Sequence, residues 1–290
     1  MGYLLLLLTS LLWSFVGVMV KSASFMVDSS IITVSRFLFG VVFLYLLMLV
    51  QKQKILLYWK EKWIWIGVLG KCCNYIFENI AISNGHAYGN VVIWPVQTIF
   101  IAVVAILFFK ERMYFQKVAG LLLCIAGVLI VSFRGDSPAE FFQSGWLTLV
   151  LFVFASIGAG VHLISLKKLV DGMDPGNLNL SIFLFSTILT SVPLPFTLRP
   201  PGPFSLWAVF SLVGLGFITG MSFYLNAKAL KRVPFLTATI ISNSSLLFTL
   251  FWAWLFYREA INGFIVLGAV LLVIGIIMTN IPGKYRIENN

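Results

Sequence analysis

Lys71-Cys72-Cys73-Asn74-Tyr75-Ile76-Phe77-Glu78-Asn79 lies inside an otherwise apolar segment running from Trp63 to Ser83. Such a segment is long enough to cross a bilayer as a helix, which takes ~20 residues. Lys71, Asn74, Tyr75 and Glu78 follow the spacing i, i+3, i+4, i+7, so a helix stacks all four on one face. A charge at mid-bilayer costs ~2.5–3.5 kcal/mol or more, so that face must turn toward protein or a wet cavity. Of the ten acidic residues, Glu78 alone falls well inside an apolar segment. A Lys71–Glu78 pair that locks helices together is one reading. The polar wall of a solute pathway is the other, and a second, mirrored stripe favours it.

The 290 residues are 60% hydrophobic and 10% charged, with a mean hydropathy of +1.00. That excludes a soluble domain, because the apolar runs are too many and too long for one buried core. A net charge of +10 would point to nucleic acid in a soluble protein. Here the basic residues sit in short loops between apolar runs, so they set topology and no nucleic-acid partner is expected. Cys72, Cys73 and Cys124 all lie in apolar stretches, without CxxC or Cys/His spacing. Neither a disulfide framework nor a metal site is implied.

The apolar segments run Leu4–Lys21, Ile31–Val50, Trp63–Ser83, Ala87–Phe109, Phe115–Phe133, Trp146–Leu166, Leu178–Leu198, Leu206–Leu230, Phe235–Tyr257 and Gly263–Ile281. The first lacks a basic leader and a small-residue cleavage site, so it reads as a retained helix. Trp94-Pro95 interrupts the fourth. The polar connector 135–145, with its Arg134-Gly-Asp triplet, reads as turns rather than an adhesion motif. The expectation is an all-α integral membrane protein with ten transmembrane helices, since lipid admits no open backbone.

With the N-terminus in the cytoplasm, Lys52, Lys54, Lys60, Lys62, Lys110, Arg112, Lys117, Lys167, Lys168, Lys228, Lys231, Arg232, Lys284 and Arg286 fall on the cytoplasmic side. Only Lys21, Arg134, Arg199 and Arg258 fall outside, while Arg36 and Lys71 lie within spans. Both termini are therefore assigned to the cytoplasm.

A shift of about 148 positions aligns the two halves. Phe108-Phe109-Lys110-Glu111 meets Phe256-Tyr257-Arg258-Glu259, Gly120 meets Gly268, and Gly127 meets Gly275. Five spans per half is an odd number, so the halves enter the membrane with opposite polarity as inverted repeats. The domains are residues 1–134, the connector 135–145, residues 146–282 and a cytoplasmic tail at 283–290. Lys71, Asn74 and Glu78 map onto Thr219, Ser222 and Asn226, again on one helical face. Trp94-Pro95-Val96-Gln97 maps onto Ser242-Asn243-Ser244-Ser245. Pro95, Asn243 and Ser244 are thus candidate kink and gating residues, because proline frees a carbonyl and serine side chains bend helices. Such paired irregularities point to a transporter's binding site. Among the histidines, His162 lies in a span and His86 in a short outer loop. Glu111 and Glu259 sit at span junctions, where a carboxylate meets the positive end of a helix.

With Pro95, the Phe108–Glu111 run, Gly120, Gly127, Glu259, Gly268, Gly275 and the Trp13-Ser14 pair, the chain resembles the drug/metabolite transporter superfamily, in its ten-helix EamA type. The resemblance covers nearly the whole chain. It implies a central cavity lined by helices 1, 3, 4, 6, 8 and 9, and cargoes such as amino acids, nucleotide sugars or cofactors, often by efflux. The chain departs from the pattern at Asn243, where proline is common, and at His162, where tyrosine is.

The expected function is secondary active export of small polar or amphipathic metabolites, amino acids favoured, by alternating access. A facilitative or uptake carrier for a nucleotide sugar, cofactor or cationic drug competes with it, as does a membrane-embedded enzyme. Candidate substrate-binding residues are Trp13, Ser14, Lys71, Asn74, Tyr75, Glu78, Trp94, Gln97, His162, Ser222, Asn226 and Asn243. No catalytic constellation, metal set or GxxxxGK[ST] nucleotide motif is present, so no cofactor is expected and the energy comes from a solute gradient, from a coupled ion such as the proton, or from neither in facilitated diffusion. The expected setting is a bacterial cytoplasmic (inner) membrane, with the chain acting as a monomer. Reporter tags fused to the two ends should both report the cytoplasmic side. An external signal from either end overturns the orientation.

Overall fold

A computed structural model describes residues 2–280 of the chain, apart from 110–114, 134, 138, 141, 143–144, 198–201, 234–237, 239–240 and 243. Every regular element among the described residues is helical. In order they are α1 Gly2–Ser14, α2 Val16–Ala23, α3 Ser29–Val50, α4 Lys62–Asn84, a 3-10 turn Ala87–Val92, α5 Ile93–Phe109, α6 Phe115–Phe133, α7 Trp146–Leu169, α8 Pro175–Ser191, α9 Leu194–Thr197, α10 Leu206–Leu230, α11 Ser245–Tyr257 and α12 Gly263–Asn280.

Six stretches are long and apolar enough to cross a membrane: Gly2–Ala23, Ser29–Val50, Ala87–Val104, Trp146–Leu169, Pro175–Phe196 and Leu206–Leu230. Three shorter apolar helices, Val118–Phe133, Ser245–Tyr257 and Gly263–Met278, accompany them. α4 has the length, at 23 residues, but its polar stripe keeps it out of the apolar set.

Local chemistry fixes the helix starts. Asp28 accepts from the Ser30 and Ile31 amides at 2.8 and 3.1 Å and opens α3. Asp174 accepts from the Gly176 and Asn177 amides at 2.9 and 3.0 Å, with Pro175 in the first turn of α8. Each such cap stabilises its helix by ~1 kcal/mol. In the connector, Ser137 and Glu140 bond each other's amides reciprocally, a capping box. The Ser137 amide and hydroxyl hold the Glu140 carboxyl below its ordinary pKa. At the far end of α4, Lys21 Nζ donates to the Gly85 carbonyl at 2.6 Å, a cation at the negative end of a helix.

The structure breaks three spans that the sequence reads as continuous or kinked. The first is interrupted at Phe15, between α1 and α2. In the fourth, Pro95 lies in the first turn of α5 and the irregularity is the 3-10 turn just upstream. Proline is tolerated there because the first-turn amides have no intrahelical acceptor. In the ninth, Ser244 forms a turn onto the Ile241 carbonyl and α11 begins at Ser245. Asn243 lies outside the described residues, as do Glu111 and the tail 283–290. Glu259 does not serve the helix that follows it. Its carboxylate reaches the Ala87 and Tyr88 amides at 2.8 and 3.3 Å, the open start of the 3-10 turn.

Small residues set the closest helix pairs. A Cβ built on Gly158 of α7 would lie 2.6 Å from the Gly70 carbonyl of α4, and one on Gly70 would lie 2.9 Å from the Gly158 carbonyl. Backbone therefore touches backbone, the approach that only glycine allows. α6 and α12 repeat the device, with Gly127 against Gly268 and Gly120 against Gly275. Gly158→Val should push α4 from α7 and lower stability by ~1–3 kcal/mol, read as a lower Tm in detergent. Gly172→Ala, whose added carbon meets nothing closer than 4.0 Å, should leave Tm unchanged.

Candidate functional site

The stripe on α4 turns inward, and Lys71, Asn74, Tyr75 and Glu78 are all buried. α3 supplies the partner of Glu78. Arg36 Nη1 donates to Glu78 Oε2 at 2.9 Å and to Asn79 Oδ1 at 2.7 Å. Its guanidinium lies 3.5 Å from the Tyr75 ring centroid. Asn79 Nδ2 in turn donates to Thr33 Oγ1 at 2.8 Å. The buried ion pair is therefore Arg36–Glu78 and not Lys71–Glu78. Glu78 is seven residues along the same helix from Lys71, whereas Arg36 comes from the side with a planar fork of donors.

Lys71 has no direct ion-pair partner among the described residues, although Glu78 and Arg36 both act on it through space. Its Nζ donates to Asn74 Oδ1 at 2.7 Å and lies 4.1 Å from the ring centroids of both Tyr75 and Phe223. No carboxylate lies within salt-bridge distance of it among the described residues. Asn74 Nδ2 donates to the Ala155 carbonyl of α7 at 3.1 Å, a reach made short by the Gly70–Gly158 contact. The Tyr75 hydroxyl shares a hydrogen bond of 3.0 Å with Thr219 Oγ1 on α10.

These groups wall a cavity of about 90 Å³ among α1, α3, α4, α5, α7 and α10, space for several waters. Lys71, Asn74, Tyr75 and Glu78 form one wall, and Trp13, Trp94 and Gln97 another. His162 and Asn226 complete the set of sequence-selected residues that line it. Trp13 lies 4.9 Å from Trp94 and 5.1 Å from Phe223, centroid to centroid, with its ring plane tilted 42° and 57° to theirs, so the three rings make an angled aromatic wall. Both ring nitrogens of His162 are buried without a well-formed hydrogen bond, and its ring meets Phe223 edge-on at 5.4 Å.

Two selected residues lie elsewhere. Ser14 donates to the Leu11 carbonyl at 2.6 Å and accepts from Trp252 Nε1 at 2.9 Å, beside the break between α1 and α2. Ser222 turns back onto the Ile218 carbonyl of its own helix. Both hydroxyls are taken up by backbone, the habit of serine inside helices. Arg36, Asn90, Phe223 and Ser242 also line the cavity and were not selected from the sequence. Arg36 carried a signal, being one of two basic residues inside spans, but its partner sits on another helix. Phe223 is apolar among apolar residues and carried none.

Two stretches of the chain, residues 1–133 and 146–281, match the model of the EamA-like transporter family. An uncharacterized transporter of Archaeoglobus fulgidus is 25% identical over 173 residues, 58% of this chain and 59% of that protein. The uncharacterized transporter YoaV of Bacillus subtilis is 22% identical over 292 residues, 96% of each chain. A solved crystal structure shares the fold with a TM-score of 0.72, covering 97% of this chain and 98% of its own, at 16% identity. Together with the apolar helices, the family match makes the chain a multi-pass membrane transporter, a member of the EamA-like transporter family within the drug/metabolite transporter superfamily.

Proposed function

We propose that the protein is a secondary active exporter of small polar or amphipathic metabolites, amino acids favoured, working by alternating access through the central cavity. One observation carries this reading. A mostly apolar cavity, with tilted aromatic rings on one side and charged groups on the other, draws its walls from both parts of the chain that match the family model. A small solute site needs mostly apolar walls with a few placed polar groups, and this cavity has both.

The breaks in the spans support the mechanism. The Phe15 break adjoins Trp13 and Val16, the 3-10 turn carries Asn90, and the turn at Ser244 follows Ser242, all at the cavity wall. Irregular backbone at membrane depth is tolerated where it lines a cavity, and interrupted helices mark the moving site of many transporters. The two family matches, the facing glycine pairs of α6 and α12 and the contact between Tyr75 and Thr219 support an inverted pair of five-span repeats with both ends in the cytoplasm. Export is the direction that the family resemblance implies. Glu78 is the carboxylate at the cavity wall among the described residues and so the candidate to carry a coupling proton, with Asn79 left to hold Arg36 when Glu78 is protonated.

In proteoliposomes screened against a panel of metabolites, Lys71→Ala and Glu78→Gln should each lower flux at least ~10-fold per folded molecule, a loss of ~1.4 kcal/mol, with Glu78→Gln also lowering Tm because it strands Arg36. Full activity in both variants overturns the cavity as the pathway. A proton gradient should drive wild-type flux and fail to drive Glu78→Gln, and gradient-insensitive wild-type flux makes the protein a facilitator. Arg36→Met should destabilise the fold by ~3–5 kcal/mol by stranding Glu78, and the double variant Arg36→Met/Glu78→Met should recover most of that loss in Tm.

A further inference from the structure

We propose that the cavity selects an organic anion, a carboxylate or similar group on a flat apolar body, and that an amine on the cargo is dispensable. The proposal rests on the transport reading above and narrows its substrate class.

The charges at the cavity wall do not cancel. Arg36 and Glu78 neutralise each other at 2.9 Å. Lys71 remains, 3% exposed, with Asn74 Oδ1 as its one hydrogen-bond acceptor. An ammonium has three donors, so two are left for a ligand. The sequence removes every other internal counter-ion. Asp28, Glu61, Glu111, Asp136, Glu140, Asp171, Asp174, Glu259 and Glu288 all lie in connections, at helix boundaries or in the tail, and residues 234–243 include no acid. A cation held this deep favours an anionic or strongly polar partner, and the cavity of about 90 Å³ beside it has room for such a group.

A second, independent observation points to the same wall. His162 is 2% exposed and lines the cavity; its ring reaches the Gly67 carbonyl, but neither ring nitrogen makes a well-formed hydrogen bond. Neutral imidazole always carries one N–H donor. Lys71 and His162 both sit against the Phe223 ring, at 4.1 and 5.4 Å from its centroid, so two nitrogen-bearing side chains flank one apolar ring. Trp13, tilted between Trp94 and Phe223, adds aromatic wall for the apolar body of the cargo.

The same geometry denies the cargo an anionic site for an ammonium. Glu78 can bind one only by giving up Arg36, which would strand a guanidinium that is 2% exposed. A zwitterion is thus held by its carboxylate, and removing its amine costs little. Removing its carboxylate abolishes binding.

Thermal unfolding of the purified full chain tests this with four probes: 3-phenylpropanoate, phenylalanine, 2-phenylethylamine and inorganic phosphate. The expected result is a rise in Tm with 3-phenylpropanoate, equal to or above that with phenylalanine, and none with the amine or with phosphate. Lys71→Gln should weaken the 3-phenylpropanoate Kd at least tenfold, and Lys71→Arg should keep most of it. Stabilisation by the amine, equal stabilisation by phosphate, no response to either carboxylate, or an anion response unchanged in Lys71→Gln each overturns the proposal. If Lys71→Gln fails to fold, the wild-type panel alone decides. Liposome flux of a cationic or neutral metabolite, without carboxylate binding, sinks this proposal and leaves the transport reading standing. Loss of flux for every metabolite sinks both.

Discussion

A carboxylate inside a membrane protein is stable only beside a partner that replaces water, and Glu78 has that partner in Arg36. Much of the interior follows from this pair. Arg36 draws α3 against α4, and its guanidinium covers one face of Tyr75 while Phe37 stacks at 4.8 Å. Held this way, Tyr75 points its hydroxyl at Thr219 of α10. One ion pair thereby sets the mutual placement of three helices. It also engages Glu78, the carboxylate at the cavity wall among the described residues, in a pair that does not include Lys71.

The helical fold was legible because lipid leaves so few options. Long apolar runs with polar interruptions every twenty residues or so translate directly into helices, and Asp28 and Asp174 announce where two of them begin. The inward turn of the Lys71–Glu78 stripe was legible for the same reason, since periodicity within one helix is a local property. What the sequence hid depends on the third dimension. The preference of Glu78 for Arg36 over Lys71 is a matter of which helix lies beside α4. Phe223 is indistinguishable in composition from the phenylalanines that face lipid. Ser14 and Ser222 had the right chemistry, but their hydroxyls satisfy nearby carbonyls first. Pro95 marked an irregular span correctly in kind and misplaced it by a few residues, because proline is most comfortable in the first turn and leaves the distortion upstream.

The aromatic lining complements the charged side. Trp13, Trp94 and Phe223 come from three helices, and their rings meet within about 5 Å of one another's centroids along Trp13. Rings have two χ angles and little entropy to lose, so such a surface stays formed when the cavity is empty. A solute entering it exchanges water for a rigid apolar face and pays mainly for its own ordering.

Gly70 and Gly158 meet with no side chain between them, and Asn74 ties the same two helices again at the Ala155 carbonyl. α4 and α7 belong to different matching stretches of the chain, yet they have no lubricating layer along which to slide. In the alternating access proposed above, that contact would make them travel as one piece, and the moving units would then combine helices from both matching stretches, so that the order of the polypeptide would be a poor map of its moving parts.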